Sequence, residues 1–224
     1  MALQTRGDIL RAARRLFAER GYGATSVSDI AEAAGVAVQT IYARLGSKRG
    51  MLMALIDLID EEAGVPGRAA EIATASTPED VLRAWSRLHR ALHERCGDII
   101  GTLITAAAVE PEVAQAVAEG SRRRRDGARL TIGRIAELGG LRDELAPDHA
   151  AALLSAAGTQ ETWHELVHAY NLSWDQAELT VNDALARAIL TTIEPPALKA
   201  GLDHPTAEPL RSPGPEAADA SRGG

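Results

Sequence analysis

Five side chains between positions 39 and 48 have the chemistry to read a nucleic acid. Gln39 can hold adenine through paired hydrogen bonds, Thr40 can meet a base edge or a thymine methyl, and Arg44 suits guanine or a phosphate. Tyr42 and Lys48 add a phenol and an ammonium for phosphate oxygens. Ser26, at a helix start with Ser28 in its first turn, offers backbone N–H groups to a further phosphate.

Other groupings compete for attention. His164-Glu165-Leu166-Val167-His168 matches the HExxH pattern, in which two imidazoles one helical turn apart hold zinc and the glutamate acts as base. The pattern is short and needs a third ligand, so polar residues on a surface, or ligand or metal sensing through His164, are the competing readings. His89, His93 and Cys96 share one helical side, a spacing open to a soft metal or to ordinary partly buried side chains. Ser121 to Arg125, "SRRRR", reads as a solvated or salt-bridged face. Trp85, Trp163, Trp174 and Tyr170 carry most of the large aromatic surface beyond position 50. They can line a cavity for an apolar or aromatic molecule, with His89, Thr102, Thr105 and Gln160 as polar anchors, or simply fill the core.

Elements must position these groups. Apolar spacing of three and four recurs along the chain and alternating strand patterns do not, which predicts an all-α protein. Thr5-Arg6-Gly7-Asp8 reads as a capping box for a first helix ending at Gly21 and Gly23, and Ser26-Val27-Ser28-Asp29 as the box of a short second one stopped by Gly35. A third helix from Ala37 turns Val38, Ile41, Tyr42 and Leu45 inward and leaves Gln39, Thr40, Ala43 and Arg44 opposite. Ser47 caps a fourth. Two short helices around a tight glycine turn are what a helix-turn-helix needs, and its last helix fits the DNA major groove.

Beyond these, "GVPGRAAEIATAS" reads as a linker with room for a helical turn, and Thr77-Pro78-Glu79-Asp80 as a strong helix start. Further helices are expected around Ile99 to Val109, Glu112 to Leu138, Asp148 to Tyr170, and from a box at Ser173 to about 193. Six of the ten prolines fall in 195–224, which reads as a disordered tail.

The net charge of −7 hides an asymmetry: eight Lys/Arg against four acids give residues 1–50 a balance of +4, so the remainder carries −11. A small basic head on an acidic body suits a head that meets a polyanion. No basic-then-apolar leader and no apolar run of membrane length is visible, and Cys96 is the single cysteine. A cytoplasmic protein without membrane association is expected.

The stretch "ILRAARRLFAERGYGATSVSDIAEAAGVAVQTIYARLGSKRGML" resembles the TetR family of bacterial transcriptional regulators. The resemblance lies in F-x-x-x-G-Y, T-S-V-x-D-I-A, A-G-V, T-I-Y and the S-K before the fourth helix, over about Asp8 to Leu55. Family members usually carry aromatic or His side chains where this chain has Ala43, Arg44 and Leu45, so its operator cannot be borrowed from a relative. The resemblance implies an N-terminal three-helix DNA-binding domain (1–50), a helical ligand-binding and dimerisation domain (51–194), and a homodimer joined mainly by helices 148–170 and 173–193. It implies a repressor released from a pseudo-palindromic operator on double-stranded DNA by a small-molecule effector, apolar or aromatic, with no enzymatic activity and no cofactor. A zinc hydrolase, a metal-sensing helical protein and a helical interaction module are the alternatives.

Overall fold

A computed structural model describes residues 2–191 as ten α-helices and one π-helical turn. The order is α1 (Ala2–Arg20), α2 (Val27–Ala34), α3 (Val38–Leu45), α4 (Lys48–Glu62), α5 (Val65–Thr74), α6 (Pro78–Ala106), α7 (Pro111–Glu137), α8 (Pro147–Ala157), α9 (Gln160–His164), the π-turn Glu165–Ala169 and α10 (Trp174–Ile189). Extended pairing among the described residues is limited to one antiparallel bridge, Leu141 to Leu190, which ties the end of α10 to the α7–α8 connection. The expected tail at 195–224 lies outside the described residues.

Two apolar clusters organise the chain. One gathers Ile9, Leu16 and Phe17 of α1, Ile30 of α2, Ile41 of α3 and Leu52 of α4 with Ile99, Leu103 and Val113 from α6 and α7. The head therefore has no closed core of its own, and the far end of α6 completes it. The other joins Val81 and Trp85 of α6, Ile132 of α7, Leu154 of α8, Trp163 of α9 and Val181, Leu185 and Ile189 of α10.

Four boundaries differ from the sequence expectations. α1 starts at Ala2, so Thr5 lies inside the helix, and Asp8 pairs with Arg11 one turn on instead of capping. The supposed linker is α5, which buries Ile72. A single 29-residue α6 replaces two helices, because Gly97 does not break the helix but admits the side chain of Gln160 against it, 3.4 Å from where a Cβ would stand.

The long helix expected over 148–170 is broken at Gly158. A Cβ there would stand 2.5 Å from the His89 ring and 3.2 Å from Trp85, so the backbone passes against α6, and the Thr159 hydroxyl, accepting from Thr162 N–H, restarts a helix.

Candidate DNA interface and effector site

Isolated helices as short as α2 and α3, eight residues each, do not persist in water, since those below roughly 12 residues are marginal. Caps and packing hold these two. The Ser26 hydroxyl accepts from Asp29 N–H (3.1 Å) while the Asp29 carboxylate accepts from Ser26 N–H (2.8 Å), the reciprocal box the sequence implied. These bonds, the Ser26 hydroxyl first, hold the Asp29 carboxyl below its ordinary pKa. Gly35 then takes φ +65°, which a side chain disfavours, and turns the chain into α3.

α3 is two-sided. Ile41 is fully buried, with Val38 and Leu45 half-buried beside it, and Gln39, Ala43 and Arg44 are exposed, with Thr40 at the margin. Arg44 has no ion-pair partner among the described residues. Tyr42 departs from its expected inward place: it is 53 % exposed, so most of its ring as well as its hydroxyl faces outward. Ser26 and Ser28 are both exposed at the start of α2.

Lys48 has intrachain partners. Its ammonium donates to the backbone carbonyls of Tyr22 (2.8 Å) and Thr25 (3.0 Å) and lies 4.2 Å from the centre of the Tyr22 ring. It thereby pins the α1–α2 connection to the start of α4. The next turn is equally tight, for a Cβ on Gly50 would fall 1.9 Å from the Leu45 carbonyl oxygen. Glycine at 50 lets α4 begin directly against the end of α3.

Ion pairs that sequence reading missed join the head to the later helices. Arg14 on α1 donates to Asp98 on α6 (2.6 and 2.8 Å) and to Glu62 at the end of α4 (2.7 Å). Tyr22 donates to Glu110 (2.8 Å), and Arg49 pairs with Glu112 (3.1 Å). Burial first, and then the Glu110 carboxylate, push the Tyr22 phenol well above its ordinary pKa, so it remains a donor. Partners 48 or more positions away leave no local signal.

The seven side chains proposed for an effector divide. Trp85, His89, Gln160 and Trp163 come together, joined by His93 and Trp174 in a ladder of rings. Trp85 stacks on His89 at 3.9 Å between centroids, His93 on Trp163 at 5.8 Å and Trp163 on Trp174 at 6.3 Å. Thr102 and Thr105 sit farther along α6, Thr102 about 14 Å beyond His93 at a rise of ~1.5 Å per residue, and bond carbonyls of their own helix. His164 is exposed and belongs to a different surface.

Two buried imidazoles lie in the ladder. Burial, with the neighbouring His93, pulls the His89 pKa down to about 3. His93 is also shifted downward, chiefly by burial. Its ring meets two acceptors, Gln160 Oε1 at 2.9 Å and the Gly158 carbonyl at 3.2 Å, while Gln160 Nε2 donates to Gly97 O. A neutral imidazole has one N–H, so one of those oxygens faces a lone pair. Cys96 stands apart from both rings, its sulfur near Ile59 O and Glu62, with burial raising its thiol pKa to about 11. Such a thiol is inert, and the three residues do not form one metal site.

The arginine run has ordinary partners. Arg122 pairs with Glu119 and Asp126, Arg123 with Asp60, and Arg124 with Ser155. No helix among the described residues is long and apolar enough to cross a membrane.

Comparison with known proteins agrees with this geometry. Residues 9–55 match the family described as bacterial regulatory proteins, tetR family. The regulator TtgR of Pseudomonas putida is 34% identical over 109 residues, covering 42% of this chain and 52% of TtgR. The repressor ComR of Escherichia coli is 30% identical over 129 residues, 49% of this chain and 61% of ComR. The chain thus spans little more than half the length of the curated relatives it matches. Likeness of fold extends further: a SmeT–triclosan complex superposes with a TM-score of 0.66 over 95% of this chain and all of SmeT at 22% identity. NalD, the secondary repressor of the MexAB-OprM multidrug efflux pump in Pseudomonas aeruginosa, does so with 0.68 over 85% of this chain and 98% of NalD at 17% identity. With α3, its glycine turn and its capped neighbour inside the match, residues 9–55 carry the DNA-binding domain of the TetR family of bacterial regulatory proteins, and the helices beyond them share their fold with solved structures.

Proposed function

We propose that the protein is a dimeric transcriptional repressor that works in the cytoplasm and leaves its operator when a small molecule binds. The observation that carries the proposal is the two-sided α3, buried at Ile41 and bare at Gln39, Ala43 and Arg44. Residues 1–50 act as the reading head and 51–194 as the effector and dimer domain. Gln39, Thr40 and Arg44 contact bases, while Tyr42, Ser26 and Ser28 contact phosphates. Lys48 spends two of its three N–H donors on backbone carbonyls of the α1–α2 connection and keeps the third for a phosphate. Two heads in successive major grooves stand roughly 34–36 Å apart, and dimerisation through α8 and α10 is supported by the exposed Leu153 and Leu179 on those helices.

The effector enters the ring ladder between α6 and α9. Apolar or aromatic character is supported by the stacked tryptophans, and the related fold of SmeT has been captured with triclosan. For release, the effector must favour a conformation with the wrong head spacing. Arg14, bonded to both α4 and α6, is placed to transmit that change.

HExxH catalysis gains no support: a π-turn interrupts the helix between the two imidazoles, and no third ligand joins them among the described residues. The test is a gel shift on DNA upstream of the gene and its neighbours. Arg44→Ala should weaken binding at least tenfold and flatten its salt dependence. Unchanged binding in both Arg44→Ala and Gln39→Ala would overturn the reading and leave an interaction module as the better one.

A further inference from the structure

We propose that the effector carries a primary amine, whose nitrogen takes the place of the Gln160 amide between His93 and Gly97. The inference rests on the effector site proposed above and names the polar group that site receives.

Three polar contacts run in a line through the interior: Gly158 O to His93 Nε2 (3.2 Å), His93 Nδ1 to Gln160 Oε1 (2.9 Å) and Gln160 Nε2 to Gly97 O (3.3 Å). A carbonyl oxygen stands at either end, and neither can donate. The two groups between them, an imidazole held neutral by burial and an amide, each donate from one nitrogen only. Three contacts therefore share two donors, and one of them always lacks a proton. The mismatch can be moved but not removed. Gly158 O has no other donor among the described residues, so it takes the imidazole N–H, and Nδ1 turns its lone pair on the amide oxygen. Turning the amide over pairs it with Nδ1 but sets its oxygen against Gly97 O. His93 is only 7 % exposed, and buried polar atoms are ordinarily paired. His89 beside it is also short of a donor: Nδ1 lies on Trp85 O, and Nε2 has no hydrogen-bond partner among the described residues.

A nitrogen that donates twice completes the line, with one N–H on Nδ1 and the other on Gly97 O. A hydroxyl donates once and restores the mismatch, and a carboxylate donates nothing. Gln160 is half-buried, so its side chain can swing outward, and the rings of Trp163 and Trp174 receive the apolar body. The charged groups that face His93, Arg124 on α7 and Glu161 on α9, are of opposite sign. The count of donors, not charge, therefore selects the ligand.

Calorimetric titration of the full chain with 1-aminonaphthalene and 1-naphthol, which differ by one donor, tests the inference. The amine should bind at least tenfold more tightly. His93→Phe removes the lone pair and should cut that preference below threefold, whereas Gln160→Met removes the amide to be displaced and should tighten the amine at least threefold. Thermal denaturation of both variants verifies folding. Failure of the amine to bind, equal affinity for the two compounds, a preference that survives His93→Phe, or no tightening in Gln160→Met overturns the inference. Binding of 1-naphthylmethylamine, charged at neutral pH, without binding of 1-aminonaphthalene overturns it too, because charge would then be the selector. Operator release by 1-naphthol in a gel shift would keep the effector reading while sinking the amine.

Discussion

The DNA-reading end and the aromatic interior are stabilised in different ways. In the head, the conformation of each short element is written into adjacent residues: Ser26 with Asp29, Gly35 at φ +65°, Ser47 accepting from Gly50 N–H. In the body, the decisive contacts join residues far apart in sequence, such as His93 with Gln160 and Trp85 against Gly158. The contrast suits the proposed division of labour. A reading surface must be rigid before it meets DNA, whereas an effector site must have two arrangements of nearly equal energy.

Truncating one fully buried side chain on each side tests this most strongly. Trp163→Ala should cost about 3–5 kcal/mol and Ile41→Ala about 2–5 kcal/mol, both read by denaturant unfolding, since each residue is fully buried. Beyond stability they should part company: at temperatures where both remain folded, Ile41→Ala should abolish operator binding and Trp163→Ala should retain it but lose the response to effector.

Acid separates the two regions next. An unfolded histidine takes up a proton near pH 6.5, whereas His89 in the folded chain does so only near 3. Between those values the unfolded state binds more protons, so the stability that neutral His89 contributes is complete above about pH 6.5 and declines as pH falls. The slope reaches at most about 1.4 kcal/mol per pH unit. Melting curves from pH 7 to 4 should show that decline flattened in His89→Gln, with Ser26 and Asp29 variants keeping it.

The smallest expected effect is at a cap. Ser26→Ala removes both bonds of the hydroxyl, from Asp29 N–H and to the Asp29 carboxylate, and should cost about 1 kcal/mol. It should weaken DNA binding modestly while leaving effector affinity unchanged, which calorimetry with the isolated effector would check.

Much of the head was legible before any coordinates because capping and left-handed glycines act over three or four residues. The helix starts at Ser26, Ser47 and Ser173 and the turn at Gly35 follow from that locality. Tyr42 went astray because its place on the helical arc was marginal, and no neighbouring element covers it. The carbonyls of Tyr22 and Thr25 that Lys48 also bonds were not legible, since nothing local announces partners more than twenty positions away.

The sequence by itself determined the helical class, the reading motif and the face of α3 that stays bare, because periodicity and turn chemistry are local properties. Tertiary structure alone decided that α6 runs unbroken, that Gly158 breaks the helix expected over 148–170, and that Thr102 and Thr105 lie far from the ring ladder. It also decided that Arg14 bonds Glu62 and Asp98. Those outcomes depend on which surfaces meet across tens of residues, and packing of that kind overrides local preference.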